Sequence, residues 1–147
     1  MNNLTKETVE KMVREIIMEQ FSLSKISDKS GIIKVSLPQV EVTEKDRLDT
    51  GNPTDKVYCH DLYTLEESPR LGCGLMQMEA STFPWHLDYD EIDYVIDGTL
   101  DIIVDGRVNR VEKGEIIYIP KGSDIEFSVK GKARFMYVTY PADWANQ

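Results

Sequence analysis

His86, Asp88, Asp90, Glu91, Asp93 and Asp97 crowd one short stretch of the chain. Oxygen donors at this density suit a partly hydrated Mg²⁺, for which Asp88 and Glu91 are the candidate ligands. The same acids favour a small cation such as an alkylammonium. Downstream, Lys121 and Arg134 are candidate phosphate clamps, because phosphoryl transfer requires Mg²⁺, cationic clamps and in-line positioning. No Gly-x4-Gly-Lys-Ser/Thr loop is present, and Lys121-Gly122-Ser123 alone is too short to make one. Acids that alternate along strands and turns are more commonly solvated than functional, and with a period of two only half of them face an interior.

That parity sorts the cluster. If Glu91 faces inward, Asp93 and Val95 share its face while Ile92 and Tyr94 do not. An inward Asp93 beside Glu91 is costly unless paired or protonated. Glu91 and Asp93 are therefore the candidate catalytic residues. His86, Asp88, Tyr89, Lys121, Glu126 and Arg134 are the candidate substrate-binding set, with Tyr137 a further guess. Met76, Met78, Phe127 and Phe135 read as core.

The elements that position these residues are almost entirely β from Leu71 onward. Expected strands run over Gly72–Glu79, Trp85–Asp88, Glu91–Ile96, Thr99–Val104, Val108–Glu112, Ile116–Ile119, Ile125–Val129 and Ala133–Tyr140. Asp97-Gly98, Asp105-Gly106, Lys121-Gly122 and Lys130-Gly131 separate them, and such pairs supply the positive φ that tight hairpins need. Short strands at this spacing indicate a sandwich or closed barrel. Before them, Lys56 to Leu65 reads as a strand. Ile32–Val35 and Val40–Val42 read as edge strands split by Pro38, and Ser22 to Gly31 as a loop.

At the start, Val9, Met12, Val13, Ile16, Ile17 and Phe21 keep the i, i+3, i+4, i+7 spacing of an amphipathic helix over Leu4 to Phe21. Thr5 is its N-cap, Glu7 sits in the first turn, and Lys6, Glu10, Lys11, Arg14 and Glu19 form the solvated face. This helix either packs on its own barrel or docks into a groove on another protein. The chain thus divides into the helix at 1–21, a linker with edge strands at 22–55, and a barrel at 56–147.

A net charge of −9 argues against a nucleic-acid partner, which would need concentrated Lys and Arg. No apolar run is long enough to span a membrane. No secretory leader is visible, so a cytoplasmic location is expected. Cys59 and Cys73 have no metal-ligand spacing and read as reduced core thiols.

Two boxes in the barrel resemble the cupin family of jelly-roll β-barrels. Glu91, six residues and Gly98 match the end of the first cupin box, and Gly114-x5-Pro120-x-Gly122 matches the start of the second. The fold class implied is all-β, a single cupin domain with an N-terminal amphipathic helix. The boxes depart from metal-binding cupins at several places. His86-x-Asp88 replaces His-x-His, Ala80 replaces the leading glycine, and Ile125 and Val129 occupy the last histidine and asparagine positions. One imidazole with carboxylates does not suit a transition metal, and an isoleucine in a small metal site disfavours a dication. No tightly bound transition metal is expected.

A closer resemblance is carried by PW-x-x-x-YDEIDYVIDG-x-L, GEIIYIPKGSDIEF and RFMYVTYPADW. These look like the ethanolamine-utilisation cupins of the EutQ type. That resemblance implies ethanolamine breakdown in a bacterial microcompartment and an acetate kinase activity, with Mg²⁺ and ATP as cofactors. A non-catalytic scaffolding, assembly or regulatory role in the microcompartment is the alternative, and a metal-dependent cupin enzyme ranks last. The expected partners are a second copy of the chain, a small-molecule ligand, and shell or cargo proteins met through residues 4–21.

Overall fold

The structure, a computed structural model, describes residues 5–22 and 24–147, and the side chains of residues 18–22 are not among those described. Two compact units divide the chain at Glu41/Val42. The first holds helix α1 (Lys6–Ser22) and a small antiparallel pair, β1 (Lys25–Ser27) with β2 (Ile33–Val35). The Thr5 hydroxyl accepts the Thr8 backbone N–H at 3.2 Å, so Thr5 caps the helix as expected, and Glu7 lies in the first turn. Leu4, at the expected start of this helix, lies outside the described residues, as do the side chains of Glu19 and Phe21. Two expectations are corrected here. The stretch read as a loop contains β1, and Pro38 falls in a short 3-10 turn (Leu37–Gln39) rather than between two strands. Proline's fixed φ and missing N–H suit the start of such a turn.

The second unit, Val42–Gln147, holds the barrel, whose first strand starts at Lys56. Residues between those points are tied to the first barrel strand. Leu48 N–H donates to Val57 C=O at 2.8 Å, and Arg47 reaches the Asp55 carbonyl at 2.8 Å and the Tyr58 hydroxyl at 3.1 Å. The strands are β3 (Lys56–Asp61), β4 (Gly72–His86), β5 (Asp90–Asp97), β6 (Thr99–Val104), β7 (Arg107–Glu112), β8 (Ile116–Ile119) and β9 (Asp124–Tyr140). Every pairing is antiparallel, in the order β3-β4-β9-β5-β8, with β6 joining both β7 and β9.

The long spine β9 was expected as two strands, and β4 likewise. Both are continuous, because Gly131 makes no turn. The break lies opposite, at a register shift between Glu79 and Ser81, where Ala80 adopts φ 44°. A bulge of this kind bends a strand without ending it. Ala80 thus keeps the left-handed backbone that glycine takes more readily. Leu87 and Asp88 fall outside the strands. Of the Asp-Gly and Lys-Gly pairs, Asp105-Gly106 joins two hydrogen-bonded strands, whereas Asp97-Gly98 and Lys121-Gly122 turn corners between strands that do not pair with each other.

Inside, Phe83, Phe127 and Phe135 stack in series, at 5.4 and 6.4 Å between ring centroids. Met76, Met78, Val57, Val95, Leu100, Ile102, Ile125 and Val129 fill the space around them. The four residues read as core, Met76, Met78, Phe127 and Phe135, are all buried. Ile125 and Val129 therefore occupy greasy interior.

Gly98 is where the chain leaves β5 for β6, at φ 79°. A Cβ there would press on the backbone of Lys132 and Ala133 in β9, which cannot swing aside. Gly98→Ala combines an unfavourable left-handed φ with a backbone overlap. We expect it to lower the unfolding free energy by about 2 kcal/mol or more in urea denaturation. A variant as stable as the parent would show that this corner does not set the barrel's closure.

Candidate functional site

Strand β5 presents its odd-numbered residues to the barrel interior. Glu91 is 5% exposed and Asp93 0% exposed, with Val95 below them, while Ile92 and Tyr94 face outward. The parity expected from sequence holds. Across β9, Glu91 faces Thr139 and Asp93 faces Tyr137; across β8, Glu91 faces Ile119 and Asp93 faces Ile117. Neither Asp93 oxygen receives a hydrogen bond from an N–H or a hydroxyl. Its side-chain neighbour is another acid, Glu91, close enough to repel its charge and to share a proton with it in a hydrogen bond.

Burial pushes the Asp93 carboxyl well above the usual range, and the like charge of Glu91 pushes it further. Glu91 is raised too, first by burial, while Asp93 and the Tyr89 hydroxyl pull it part of the way back. Among the described residues no lysine or arginine is buried. Nothing cationic offsets the pair from within.

Around the acids lies a ring of hydroxyls and sulfur. The Tyr137 hydroxyl donates to Asp61 Oδ1 at 2.7 Å and lies 3.4 Å from Cys59 Sγ, which donates to it. Burial raises both that phenol and the Cys59 thiol, the latter to about 11. Asp61 is exposed, so Tyr137 links interior to rim. Gly74 makes room for it: a Cβ at that position would overlap the Tyr137 hydroxyl and ring. Tyr89 accepts a hydrogen bond from Trp85 Nε1 at 2.7 Å and packs its ring on Trp144 at 4.7 Å.

The structure brings Glu91, Asp93, Tyr89 and Tyr137 together. It separates the other candidates from them. The His86 ring is exposed and engaged on both sides, with Nδ1 2.7 Å from Asp124 and Nε2 3.3 Å from Asp88. Its hydrogen bond to Asp124 raises its affinity for a proton. Asp88, 64% exposed, lies in the turn before β5, away from Glu91's face. Glu126 is exposed, one residue out of phase with the inward Ile125 and Phe127. The Lys121 side chain is exposed, its backbone N–H held by Asp90 at 2.9 Å. Arg134 bonds Gln77 Oε1 at 2.8 Å, again out of phase with the inward Phe135. Strand parity is the physical reason for Glu126 and Arg134, loop placement for Asp88 and Lys121, and an outward ring at the very end of β4 for His86. Cys59, Thr139, Trp144 and Gly74 were missed as site neighbours, because the pairing of β3, β4 and β9 brings the first, second and last near, and the 3-10 turn after β9 (Trp144–Asn146) brings Trp144.

Asp88 and Glu91 therefore do not form a shared Mg²⁺ site. Among the described residues no three of His, Cys, Asp and Glu gather as a metal cage. Lys121 and Arg134 do not converge on the interior acids. The residues expected to hold a magnesium nucleotide do not fit one.

Comparison with known proteins adds the following. The family model described as "Ethanolamine utilisation protein EutQ" matches residues 4–146. A Clostridioides difficile protein named "Acetate kinase EutQ" is 60% identical over 99% of this chain and 98% of its own length. A Salmonella typhimurium protein of the same name is 34% identical over 96% of this chain, which spans 60% of that relative. The solved structure of the Clostridium difficile EutQ protein is 67% identical and superposes with a TM-score of 0.81, covering 84% of this chain and 90% of that one. The cupin domain of Schizosaccharomyces pombe Cnp3, 17% identical, superposes at 0.56 over 78% of this chain and 80% of its own, a likeness of fold. The barrel is a cupin.

The buried acids give stability a definite pH dependence. In the unfolded chain Asp93 ionises in the ordinary aspartate range, whereas in the folded chain it keeps its proton to higher pH. Between those values the unfolded state binds fewer protons, so stability falls as pH rises through this window. Asp93→Asn does not titrate. We expect it to flatten that fall as pH rises above the ordinary aspartate range, and to gain about 1–2 kcal/mol over the parent at the alkaline end. Parallel urea-midpoint curves for parent and variant would show that the parent's Asp93 is already satisfied.

Proposed function

The chain belongs to the EutQ family of ethanolamine utilisation proteins, and on that premise we propose that it is an acetate kinase of ethanolamine breakdown, interconverting acetate plus ATP with acetyl phosphate plus ADP. One observation carries this reading: the Clostridioides difficile relative named for that activity matches almost end to end at 60% identity. Within the barrel, the interior face of β5 is the place where chemistry can occur. A carboxyl that burial pushes toward its protonated form can donate a hydrogen bond, and its neighbour can accept one. The phosphate-binding groups of such a reaction would have to come from outside this interior, so no step through magnesium or nucleotide is assigned to named residues. A cytoplasmic location within a bacterial microcompartment belongs to the same proposal.

The test is a coupled assay for acetate-dependent ATP consumption, on protein purified free of contaminating kinases. Glu91→Ala with Asp93→Ala should lower the rate by at least about 10²-fold while circular dichroism keeps its β signature. An unchanged rate in that variant would move the active site out of the barrel interior, and no rate in the parent would remove the kinase reading.

A second reading, an assembly or regulatory part of the microcompartment, is favoured by two apolar faces. On the outer face of β5 and β8, Ile92, Tyr94, Ile116 and Tyr118 lie side by side, with Ile116 67% exposed. On α1, Val9, Met12, Val13, Ile16 and Ile17 are each about half exposed. Soluble chains seldom leave such surfaces uncovered. A second copy of the chain is the proposed cover for the sheet face, and shell or cargo proteins for the helix. Light scattering should give the parent twice the 16.9 kDa chain mass, and Ile116→Lys the mass of one chain. Full-length protein carrying Val13→Asp and Ile16→Asp should stop sedimenting with assembled shells. A monomeric parent, or co-sedimentation that survives both substitutions, removes the corresponding contact.

A further inference from the structure

The interior acids lack something specific. Asp93 has no exposure, and neither oxygen receives an N–H or hydroxyl donor; its one side-chain neighbour is a second acid, Glu91. Glu91 lies two residues away on the same strand face, nearly as buried. No buried lysine or arginine serves them among the described residues. Buried polar groups are almost always partnered, and buried charges are paired. The missing partner is therefore a hydrogen-bond donor carrying positive charge, and one small enough to share a barrel interior with packed side chains. A metal ion would require further ligands, and no third His, Cys, Asp or Glu joins the pair among the described residues.

We propose that Asp93 and Glu91 form a binding site for a small primary ammonium ion. An ammonium head offers three N–H donors, enough to meet both Asp93 oxygens and one of Glu91. The surroundings suit the rest of such a molecule. Ile119 lies across from Glu91 on β8 as an apolar wall, and Thr139 lies across on β9 with a hydroxyl. Tyr89 and Tyr137 are buried in the same cluster, and aromatic rings near a desolvated cation add attraction. The other titratable groups facing the pair are Cys59 and Asp61 from β3, Tyr137 from β9 and Tyr89 from the turn before β5. Of these, Asp61 is exposed at the rim and is occupied by the Tyr137 hydroxyl. Apart from the pair itself, the interior therefore gains no charge that would compete for the ligand. The site does not rest on the kinase reading, and its test uses no activity assay.

The experiment is isothermal titration of the full-length protein with methylammonium chloride near neutral pH, with sodium chloride and tetramethylammonium chloride as controls. Saturable binding of methylammonium alone is expected. Affinity should drop at least about tenfold in Glu91→Gln and in Asp93→Asn, since each removes one partner of a buried charge pair. It should also weaken as pH falls and the acids take up protons. Glu91→Gln decides alone should Asp93→Asn not fold. Equal binding of tetramethylammonium, which has no N–H to donate, would overturn the proposal. So would methylammonium binding unchanged in Glu91→Gln, or no saturable binding at all. Binding of sodium acetate that tightens as pH falls and is lost in Glu91→Gln would assign the acids to a carboxylate ligand instead.

Discussion

Everything distinctive about this barrel depends on burying two carboxyl groups, two residues apart, on the same face of one strand. Strand geometry forces the arrangement. Once Glu91 turns inward, Asp93 follows, because successive side chains alternate. The interior has no basic residue to neutralise them among the described ones. The protein must then hold at least one acid protonated, or supply a partner from outside. Either route makes these side chains responsive to their surroundings, which a purely apolar interior would not be.

The remaining architecture can be understood as support for that face. The long strand β9 runs antiparallel to β4 over nearly its whole length and also carries β5 and β6 on its other edge. It fixes Tyr137 and Thr139 opposite the acids. Gly74 on β4 leaves the space that the Tyr137 ring occupies, so a residue without a side chain sets the position of one with a large side chain. The stacked Phe83, Phe127 and Phe135 close the other part of the interior and keep it dry. A dry floor lowers the local dielectric, which strengthens both the penalty on an unpartnered acid and the reward for any partner that arrives.

Much of this was legible in the sequence. The motif glycines and Pro120, with period-two alternation, sufficed for an antiparallel barrel, and parity alone placed Glu91, Asp93 and Val95 on one face. Local patterning was less able to locate breaks. Lys130-Gly131 has turn composition, yet β9 passes through it, the two residues together opposing the single Ala80 of β4 as a bulge. For His86, Asp88 and Lys121, residue type suggested chemistry that position withholds. Arg134 and Glu126 were separated from the site by one residue of phase. Cys59, Trp144 and Thr139 carry no local signal, since their proximity to the acids comes from strand pairing and from the chain's closing turn.

The exchange of a cupin metal for this pair has a consequence for how the fold can evolve chemistry. In the resemblance to metal cupins, Glu91 is the carboxylate that would sit among imidazoles, and its charge would be met by the metal. Here the last imidazole position is Ile125, 4% exposed within the core, and His86, the one histidine left in the two boxes, faces outward between two acids. Deleting a dication while keeping its carboxylate would by itself leave a buried charge unmet. Asp93 does not solve that problem; a second acid worsens it. A residue that makes an apolar core less comfortable, with no cationic partner among the described residues, is the kind of local inconsistency that proteins retain at functional sites. Sharing a proton with Glu91 neutralises one acid and leaves the other's charge to be met from outside the barrel's own side chains.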